Sequence, residues 1–176
     1  FGEIGCFSAH PLKNLNACGD SGFITTDSYS FYKTALAMRN HGLFDRNLVK
    51  KFGFLSRMDI LQAAILNFRI KNLNRIISAR RKNAKFYLEN LDRKKYLLIN
   101  EKNYQFNTYH TFVIQTKKRE KLIKYLKLKG IGSSIHYPIP IHLQPASKYL
   151  GYKRGSFPKT EKQSKTILTL PIHQNL

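Results

Sequence analysis

The longest regular pattern in the sequence lies in residues 57–92, and it constrains the fold more than any other feature. Apolar residues recur there at the three- and four-residue spacing of an α-helix, while Arg and Lys fill the opposite side. No proline interrupts the stretch, and Ser56 with Asp59 resembles a capping box in which Asp replaces the usual Glu. The pattern therefore predicts one long helix that connects two bodies. Its apolar positions are Ile60, Ala63, Ala64, Leu66, Ile70, Leu73, Ile77, Ala84, Tyr87 and Leu91.

Shorter elements precede this helix. The segments 5–8 and 22–26 are compact, apolar and bounded by glycine and turn residues, which indicates two strands joined by a loop. A helix is predicted over 28–40, behind two residues that suit a helix cap. Residues 41–55 have no clean period and contain two glycines, so we expect a mobile or partner-facing loop.

The segment after the long helix predicts a small α+β domain. Residues 109–116 alternate as a strand, 119–130 form an amphipathic helix that ends at a glycine, and 131–137 are predicted as a second strand. Residues 136–146 contain three prolines and two histidines and must be irregular and extended. A last amphipathic helix is predicted over 160–168.

The composition bounds the class of protein. An apolar content of 42% is typical of a globular chain. No apolar run approaches the roughly 20 residues that a membrane span needs, so no membrane partner is predicted. Cys6 and Cys18 are too few for a disulfide framework and indicate reduced thiols in a cytoplasmic protein.

The formal net charge of +21 raises the question of a nucleic-acid partner. The basic residues occur singly and in short runs along the chain, without a zinc finger, an RNA-recognition aromatic signature or a basic zipper region. Lys, Asn and Ile are abundant together, as an AT-rich genome would produce. We therefore predict no nucleic-acid partner, although the positive field favours anionic small molecules such as phosphates.

The histidines do not form a recognisable metal or catalytic motif. None of the six is paired as HxH or HExxH, and no acidic residue lies at ligand spacing beside them. His136 and His142 share one loop at a spacing that is not diagnostic. Ser8 and His10 lack the flanking glycines of a nucleophile elbow. We predict no metal site.

Lys13 stands in a more suggestive setting. It lies in the loop that leaves the first predicted strand, five residues after Ser8. A lysine that attacks a carbonyl needs such a rigid platform, and an upstream hydroxyl with backbone N–H groups can hold a phosphate beside it. Lys13 is one of 21 lysines, however. The residues alone therefore do not decide whether it is a surface charge or a nucleophile.

Four stretches in order carry a family resemblance. They are GCFSAHPLKNLNACGDSGFITT at 5–26, LAMRNHG at 36–42, FGFLSRMDILQAAIL at 52–66, and SIHYPIPIHLQPASKYLGY with FPKTEKQSKTILTLPIH toward the end. Together they resemble the DegT/DnrJ/EryC1/StrS family of pyridoxal-phosphate-dependent sugar aminotransferases. The resemblance implies an α/β chain that is part of a fold-type I transferase. Its expected divisions are the end of the large cofactor domain (1–56), the long connecting helix (57–93) and a small α+β domain (94–176).

The resemblance also implies roles for individual residues. Lys13 matches the lysine that binds pyridoxal phosphate covalently, and Ser8 matches the serine that contacts the cofactor phosphate. Arg57 matches an arginine that reaches across a homodimer interface into a shared active site, where it would bind a substrate phosphate or carboxylate. Leu55 stands where the family usually has Asn, so either another group makes the contact to the partner's cofactor phosphate or that contact is weakened.

The loop at 136–146 resembles that of members that aminate the 3-keto position of a nucleotide-linked sugar, with glutamate the common amino donor. His136, Tyr137 and His142 are then predicted to line the sugar pocket, although loop packing explains them equally well. Three alternatives stay open: a 4-keto-sugar aminotransferase, an inactive remnant that serves as a binding module, and a basic nucleic-acid-binding domain. The interpretation as a 3-keto-sugar aminotransferase predicts amino-sugar synthesis for polysaccharides such as lipopolysaccharide.

Members of this family are considerably longer, and their additional part precedes the lysine. It contains the aspartate that pairs with the pyridine nitrogen and the aromatic residue that stacks on the ring. We therefore expect this chain to be a C-terminal portion that is weak or inactive as a catalyst alone.

Overall fold

The structure is a computed structural model that describes residues 2–176. The chain divides into two compact units, which we call unit 1 (Phe1–Arg75) and unit 2 (Ile76–Leu176). No helix within the described residues combines the length and apolar character that crossing a membrane requires. The three-part division at 1–56, 57–93 and 94–176 stays a prediction.

Unit 1 begins with an antiparallel hairpin. Strands β1 (Gly5–Ser8) and β2 (Gly22–Thr25) pair with Ser8 opposite Gly22. Helix α1 (Tyr29–Met38) follows, and the Ser28 hydroxyl caps it by accepting a hydrogen bond from the Phe31 N–H at 3.4 Å. The two predicted strands and the first predicted helix are thereby confirmed.

Residues 41–55 form the predicted loop, and backbone hydrogen bonds hold it to the end of α1. Phe54 N–H donates to the Met38 carbonyl at 2.7 Å, and His41 N–H donates to the Phe54 carbonyl at 2.9 Å. A bridge pairs Asn40 with Leu55. The loop is therefore fixed at its base, although it contains neither a helix nor an extended strand.

The prediction of one uninterrupted helix over 57–92 is wrong. The segment forms α2 (Ile60–Ile70) and α3 (Leu73–Asn90), separated by a turn in which Asn72 N–H donates to the Arg69 carbonyl at 3.0 Å. The apolar spacing continues across this two-residue turn, so the periodicity alone does not reveal it. The predicted capping box is also wrong, because the N-cap of α2 is Asp59 and its side chain makes no capping hydrogen bond.

Unit 2 is built on a three-stranded antiparallel sheet in the order β3–β4–β5. Helix α3 continues into this unit, and two short 3-10 helices connect α4 to α5. The element bounds are β3 Leu97–Leu98, β4 Phe112–Gln115, α4 Arg119–Leu128, the 3-10 helices Ile141–Leu143 and Pro145–Leu150, α5 Pro158–Ser164 and β5 Ile167–Leu170. The strand within 109–116 and the helix within 119–130 are confirmed. Gly130 follows α4 with a positive φ of 71°, as its position after the helix predicts.

Two predictions for unit 2 need correction. The last helix ends at Ser164 instead of continuing to 168, since Ile167–Leu170 pairs with β4 as strand β5. The strand predicted at 131–137 is reduced to a single bridge between Ser134 and Thr169. Both errors arise because pairing with β4 or with β5 is a long-range interaction that local periodicity does not report.

The main core of unit 2 lies between its sheet and its helices. Ile114 of β4 and Leu168 of β5 are almost fully buried, and both belong to one cluster of nine buried residues. Tyr87 of α3 packs its ring against Phe112, with the ring centroids 4.8 Å apart. This core fixes the sheet that carries the loop at 136–146.

Candidate functional site

Lys13 lies on a tight turn just after β1. Its N–H donates to the His10 carbonyl at 2.8 Å, and the Asn16 side-chain amide donates to the Pro11 carbonyl at 2.5 Å. The Lys13 side chain is half-buried. The turn therefore holds the backbone of Lys13 in place, as a reactive lysine requires.

The two ends of the loop that carries Lys13 are joined by buried backbone. Ala9 is completely buried; its N–H donates to the Ser21 carbonyl at 2.8 Å, and its carbonyl accepts from the Ala17 N–H at 2.9 Å. Ala9, Ala17 and Leu66 of α2 form a small buried cluster. The loop is consequently packed against α2 over both of its ends.

Two polar residues of α2 hold the same loop, and the sequence reasoning missed both. Gln62 accepts a hydrogen bond from the Cys18 N–H at 2.8 Å. The Arg69 guanidinium donates from Nη1 to the carbonyl of Asn16 at 3.1 Å and to its side-chain oxygen at 2.6 Å. Gln62, Leu66 and Arg69 share a helix face, so polar residues beside an apolar position on an amphipathic helix were the available signal.

Ser8 is the last residue of β1, and its hydroxyl is exposed. It accepts a hydrogen bond from the His10 N–H at 3.4 Å and lines a cavity of about 910 Å³ within unit 1. At Gly22, opposite Ser8, an added Cβ would lie 2.8 Å from the Phe7 carbonyl oxygen, so the hairpin needs glycine there. The Ser8 hydroxyl is thus presented to a concave surface where an anion has room.

Arg57 lies in the extended segment before α2, and its side chain is exposed. Its chain neighbours Ser56 and Met58 line the same cavity as Ser8, together with Arg39 from the end of α1. The Ser56 N–H donates to the Arg39 carbonyl at 2.9 Å, which fixes the backbone beside Arg57. The structure therefore brings the backbone on both sides of Arg57 to the cavity that Ser8 lines.

His136 and Tyr137 lie in unit 2 and line one groove of about 620 Å³. The His136 Nδ1 atom lies 2.9 Å from the Thr169 hydroxyl oxygen of β5, which orients the imidazole. Tyr137 is 73% exposed, and its ring stands edge-on to the His136 ring. These two side chains are accessible to a ligand in the groove.

His142 does not line that groove, and its predicted place in a sugar pocket stays a prediction. Its imidazole is buried, with Nε2 3.0 Å from Glu161 Oε1, and it packs edge-on against Phe157. The same Glu161 oxygen accepts hydrogen bonds from the N–H groups of Gly155 and Phe157. Burial acts to raise the pKa of Glu161, but these hydrogen bonds outweigh it and lower the pKa below its ordinary value. His142 and Glu161 thus fasten the loop that carries His136 and Tyr137.

Among residues 2–176, no group of three or more His, Cys, Asp or Glu side chains is placed to hold a metal ion. The candidate residues instead offer an amine, hydroxyls, an exposed guanidinium and an imidazole. That donor set suits anionic and carbonyl-bearing ligands.

The model of the DegT/DnrJ/EryC1/StrS aminotransferase family matches residues 1–176. The chain is 36% identical over 181 residues to the pleiotropic regulatory protein of Geobacillus stearothermophilus, covering 99% of this chain and 49% of that protein. It is 33% identical over 176 residues to the UDP-N-acetyl-3-dehydro-alpha-D-glucosamine 3-aminotransferase of Acidithiobacillus ferrooxidans, covering 100% of this chain and 47% of that protein. The chain thus spans about half the length of the curated relatives it matches.

Solved structures show the same fold. The crystal structure of DesV from S. venezuelae matches with a TM-score of 0.91 and 31% identity, covering 98% of this chain and 47% of that one. The structure of NtdA from Bacillus subtilis with bound cofactor PMP matches with a TM-score of 0.87 and 29% identity, covering 99% of this chain and 42% of that one. The two units are therefore part of the α/β fold of these aminotransferases.

Proposed function

Because this chain belongs to the DegT/DnrJ/EryC1/StrS aminotransferase family, we propose that it forms part of a pyridoxal-phosphate-dependent aminotransferase that acts on a nucleotide-linked keto-sugar. The observation that carries the proposal is the family match over the whole chain, with Lys13 fixed on a turn behind the exposed Ser8 hydroxyl. The proposed amino donor is glutamate, and the proposed assembly is a cytoplasmic homodimer with shared active sites.

The residues of unit 1 suit pyridoxal phosphate. Lys13 supplies an amine on a fixed backbone for the covalent attachment, and Ser8 supplies an exposed hydroxyl for the phosphate. When bound, this cofactor supplies the electron sink that stabilises negative charge on the carbon bearing the amino group. The remaining steps that this chain contributes are binding, orientation and proton transfer.

Proton transfer is the proposed second task of Lys13. A Lys13 amine whose Nζ atom is free would act as a base: it would take a proton from the reacting carbon and hold it for return later in the transfer. Gln62 accepts a hydrogen bond from the loop on which Lys13 lies and Arg69 donates to it, so these two act as positioning residues. A loop that moved by 1 Å would misplace that amine and slow the reaction about 100-fold.

Substrate contacts are proposed for three exposed side chains. The Arg57 guanidinium would bind a phosphate or carboxylate, while His136 and Tyr137 would contact the sugar. The Acidithiobacillus relative is named for amination at the 3-position, and a Streptomyces venezuelae relative, 30% identical, is named dTDP-3-amino-3,4,6-trideoxy-alpha-D-glucose transaminase. These names support amination at the 3-keto position for this chain.

The test uses a hybrid protein in which this chain is joined to the part of the Acidithiobacillus relative that it does not match. Pyridoxal phosphate is added, the adduct is reduced with borohydride, and the modified lysine is identified by mass spectrometry. We expect modification at Lys13 and its loss in Lys13→Ala, whereas Lys33→Ala, a matched control in α1, retains it. A folded hybrid with no adduct at Lys13 would overturn the assignment.

The same hybrid distinguishes the substrates. Turnover is measured with glutamate and with nucleotide-linked sugars that carry a keto group at position 3 or at position 4. We expect amination of the 3-keto sugar, and Ser8→Ala should raise the cofactor concentration needed for half-saturation about tenfold through loss of one charge-assisted hydrogen bond. Preferential amination of the 4-keto sugar would retain the family activity and refute the regiochemistry.

A further inference from the structure

One concave surface of unit 2, which we call the basic groove, gathers cations that are far apart in the sequence. It has a volume of about 750 Å³. Half of its fourteen lining residues are Lys or Arg and none is acidic, whereas unit 2 as a whole has 21 Lys and Arg among 101 residues. The groove is therefore more basic than the composition of the unit explains. Its basic residues are Arg93, Lys94, Lys95, Lys117, Lys118, Lys121 and Lys162.

Most of these cations have no acidic partner among residues 2–176. Lys95 pairs with Asp92 at 3.2 Å, and Arg93 donates to the Asn100 side-chain oxygen and the Leu88 carbonyl, both at 3.2 Å. The other five lysines form no ion pair with any residue among 2–176. Gathered like charges repel one another, so this surface gains free energy when a ligand with several negative charges binds.

The groove also has an apolar floor. Tyr96 and Leu122 are half-buried and pack against the core of unit 2. Tyr125 of α4 is 56% exposed and lines the groove. The Lys129 Nζ atom lies 6.0 Å from the centroid of the Tyr125 ring. Lys121, Leu122 and Tyr125 lie three, four and seven residues after Lys118, the N-cap of α4, so one face of this helix presents both cations and an aromatic ring.

We propose that the basic groove binds a nucleoside polyphosphate. Its phosphates would lie among the lysine ammonium groups, and its base would stack on Tyr125. The groove volume lies within the range of about 300–1,000 Å³ that holds small molecules in proteins, which favours a single nucleotide over a polymer. All lining residues belong to unit 2, and none is assigned a role in amino transfer, so this inference does not rest on the proposed function.

The first measurement titrates the full chain with ATP by calorimetry at 0.1 M salt, and titrates inorganic tripolyphosphate under the same conditions. We expect one saturable site for ATP and about tenfold weaker binding of tripolyphosphate, because only ATP has a base that can stack on Tyr125. Tyr125→Ala should remove the advantage of ATP and leave tripolyphosphate binding unchanged. Absence of saturable ATP binding would overturn the proposal.

The second measurement separates the groove from the general positive field of unit 2. Lys118→Glu with Lys121→Glu reverses two groove charges, and Lys148→Glu with Lys153→Glu reverses two exposed charges outside it. We expect the groove pair to weaken ATP binding at least about tenfold and the control pair less than about threefold, because salt screens distant exposed charges. If the groove pair fails to fold, Lys118→Gln with Lys121→Gln gives the same comparison with a smaller change.

Two results would overturn the nucleotide assignment while the chain remains folded. Equal weakening by the groove pair and the control pair would show that ATP responds to net charge and not to the groove. The second result is that a single-stranded oligonucleotide binds more tightly than ATP at equal phosphate concentration, and that both double variants weaken its binding. This result would assign the surface to nucleic acid.

Discussion

Unit 1 and unit 2 bury their apolar side chains to very different extents. Unit 2 has one cluster of nine buried residues centred on β4 and β5. The buried cluster of unit 1 consists of Ala9, Ala17 and Leu66, while Phe52 is 95% exposed and Ile60 is 88% exposed. Because burial of apolar surface contributes about 25 cal/mol per Å², most of the hydrophobic stabilisation within this chain belongs to unit 2.

Unit 1 relies to a greater degree on polar contacts between distant segments. Gln62 and Arg69 each bind the loop that carries Lys13, across 44 and 53 residues of sequence respectively. The proposed catalytic lysine therefore lies on a loop that hydrogen bonds hold over a small core. In the proposed homodimer, the exposed aromatic side chains of residues 41–55 would gain the burial that unit 1 lacks.

The largest expected effect is in the core of unit 2. Leu168→Ala leaves a cavity in a packed cluster and should reduce the free energy of unfolding by about 3–5 kcal/mol. Leu66→Ala in unit 1 should cost about 2 kcal/mol, because its buried neighbours Ala9 and Ala17 offer few contacts. Leu61→Ala, at a side chain that is 69% exposed, is the matched control and should change stability by less than about 0.5 kcal/mol. Urea denaturation measures all three.

An equal loss for Leu66→Ala and Leu168→Ala would contradict the comparison between the units. It would show that unit 1 depends on its small core as strongly as unit 2 depends on its larger one. Circular dichroism at several wavelengths would then establish whether the two units unfold in one transition.

Local signals in the sequence predict much of this fold but not its long-range pairings. Strands β1 and β2 lie between glycines and turn residues, and Ser28 marks the start of α1, so short windows suffice for them. Strand β5 is four residues without clear alternation, and it forms because β4 lies beside it. The turn between α2 and α3 is invisible to periodicity because the apolar spacing continues across it.

The candidate site divides in the same way. Lys13 lies in the loop after a predicted strand and Ser8 ends that strand, the family resemblance implies their roles, and these roles stay predictions. The amphipathic pattern of α2 places Gln62 and Arg69 beside Leu66 but does not give their partners, because only the folded loop brings Asn16 and Cys18 to α2. His142 has a partner of the same kind, since a histidine in a proline-rich loop gives no local sign that Glu161, 19 residues later, binds it.

Acid is expected to weaken unit 2 through two carboxylates. Hydrogen bonds from Arg81 and the Asn107 N–H lower the pKa of Glu101. Burial acts to raise the pKa of Glu161, but its hydrogen bonds outweigh that effect and lower it. Since each folded pKa lies below the ordinary value of 4.5, both contributions to stability are complete above that pH and are lost as the pH falls through the lowered values.

Glu101→Gln should therefore flatten the loss of stability between pH 7 and about pH 3, measured by urea denaturation at each pH. Glu89→Gln is the matched control, because Glu89 is an exposed carboxylate 3.7 Å from Lys85 on α3. The control should retain the full pH dependence of the unmodified chain. If Glu101→Gln also retained it, Arg81 would not stabilise the ionised carboxylate.

The smallest expected effect is local and lies in unit 1. Arg69→Met removes the hydrogen bonds to Asn16 but keeps the length of the side chain, so the loop should open more often with little change in global stability. We expect the amide hydrogens of Ala17 and Cys18 to exchange about tenfold faster, corresponding to about 1.4 kcal/mol of local opening free energy. Lys71→Met, at an exposed residue just beyond α2, should leave these exchange rates unchanged. Unchanged exchange in Arg69→Met would mean that the backbone hydrogen bonds of Ala9 and the Gln62 contact hold the loop without Arg69, and that Arg69 does not position Lys13.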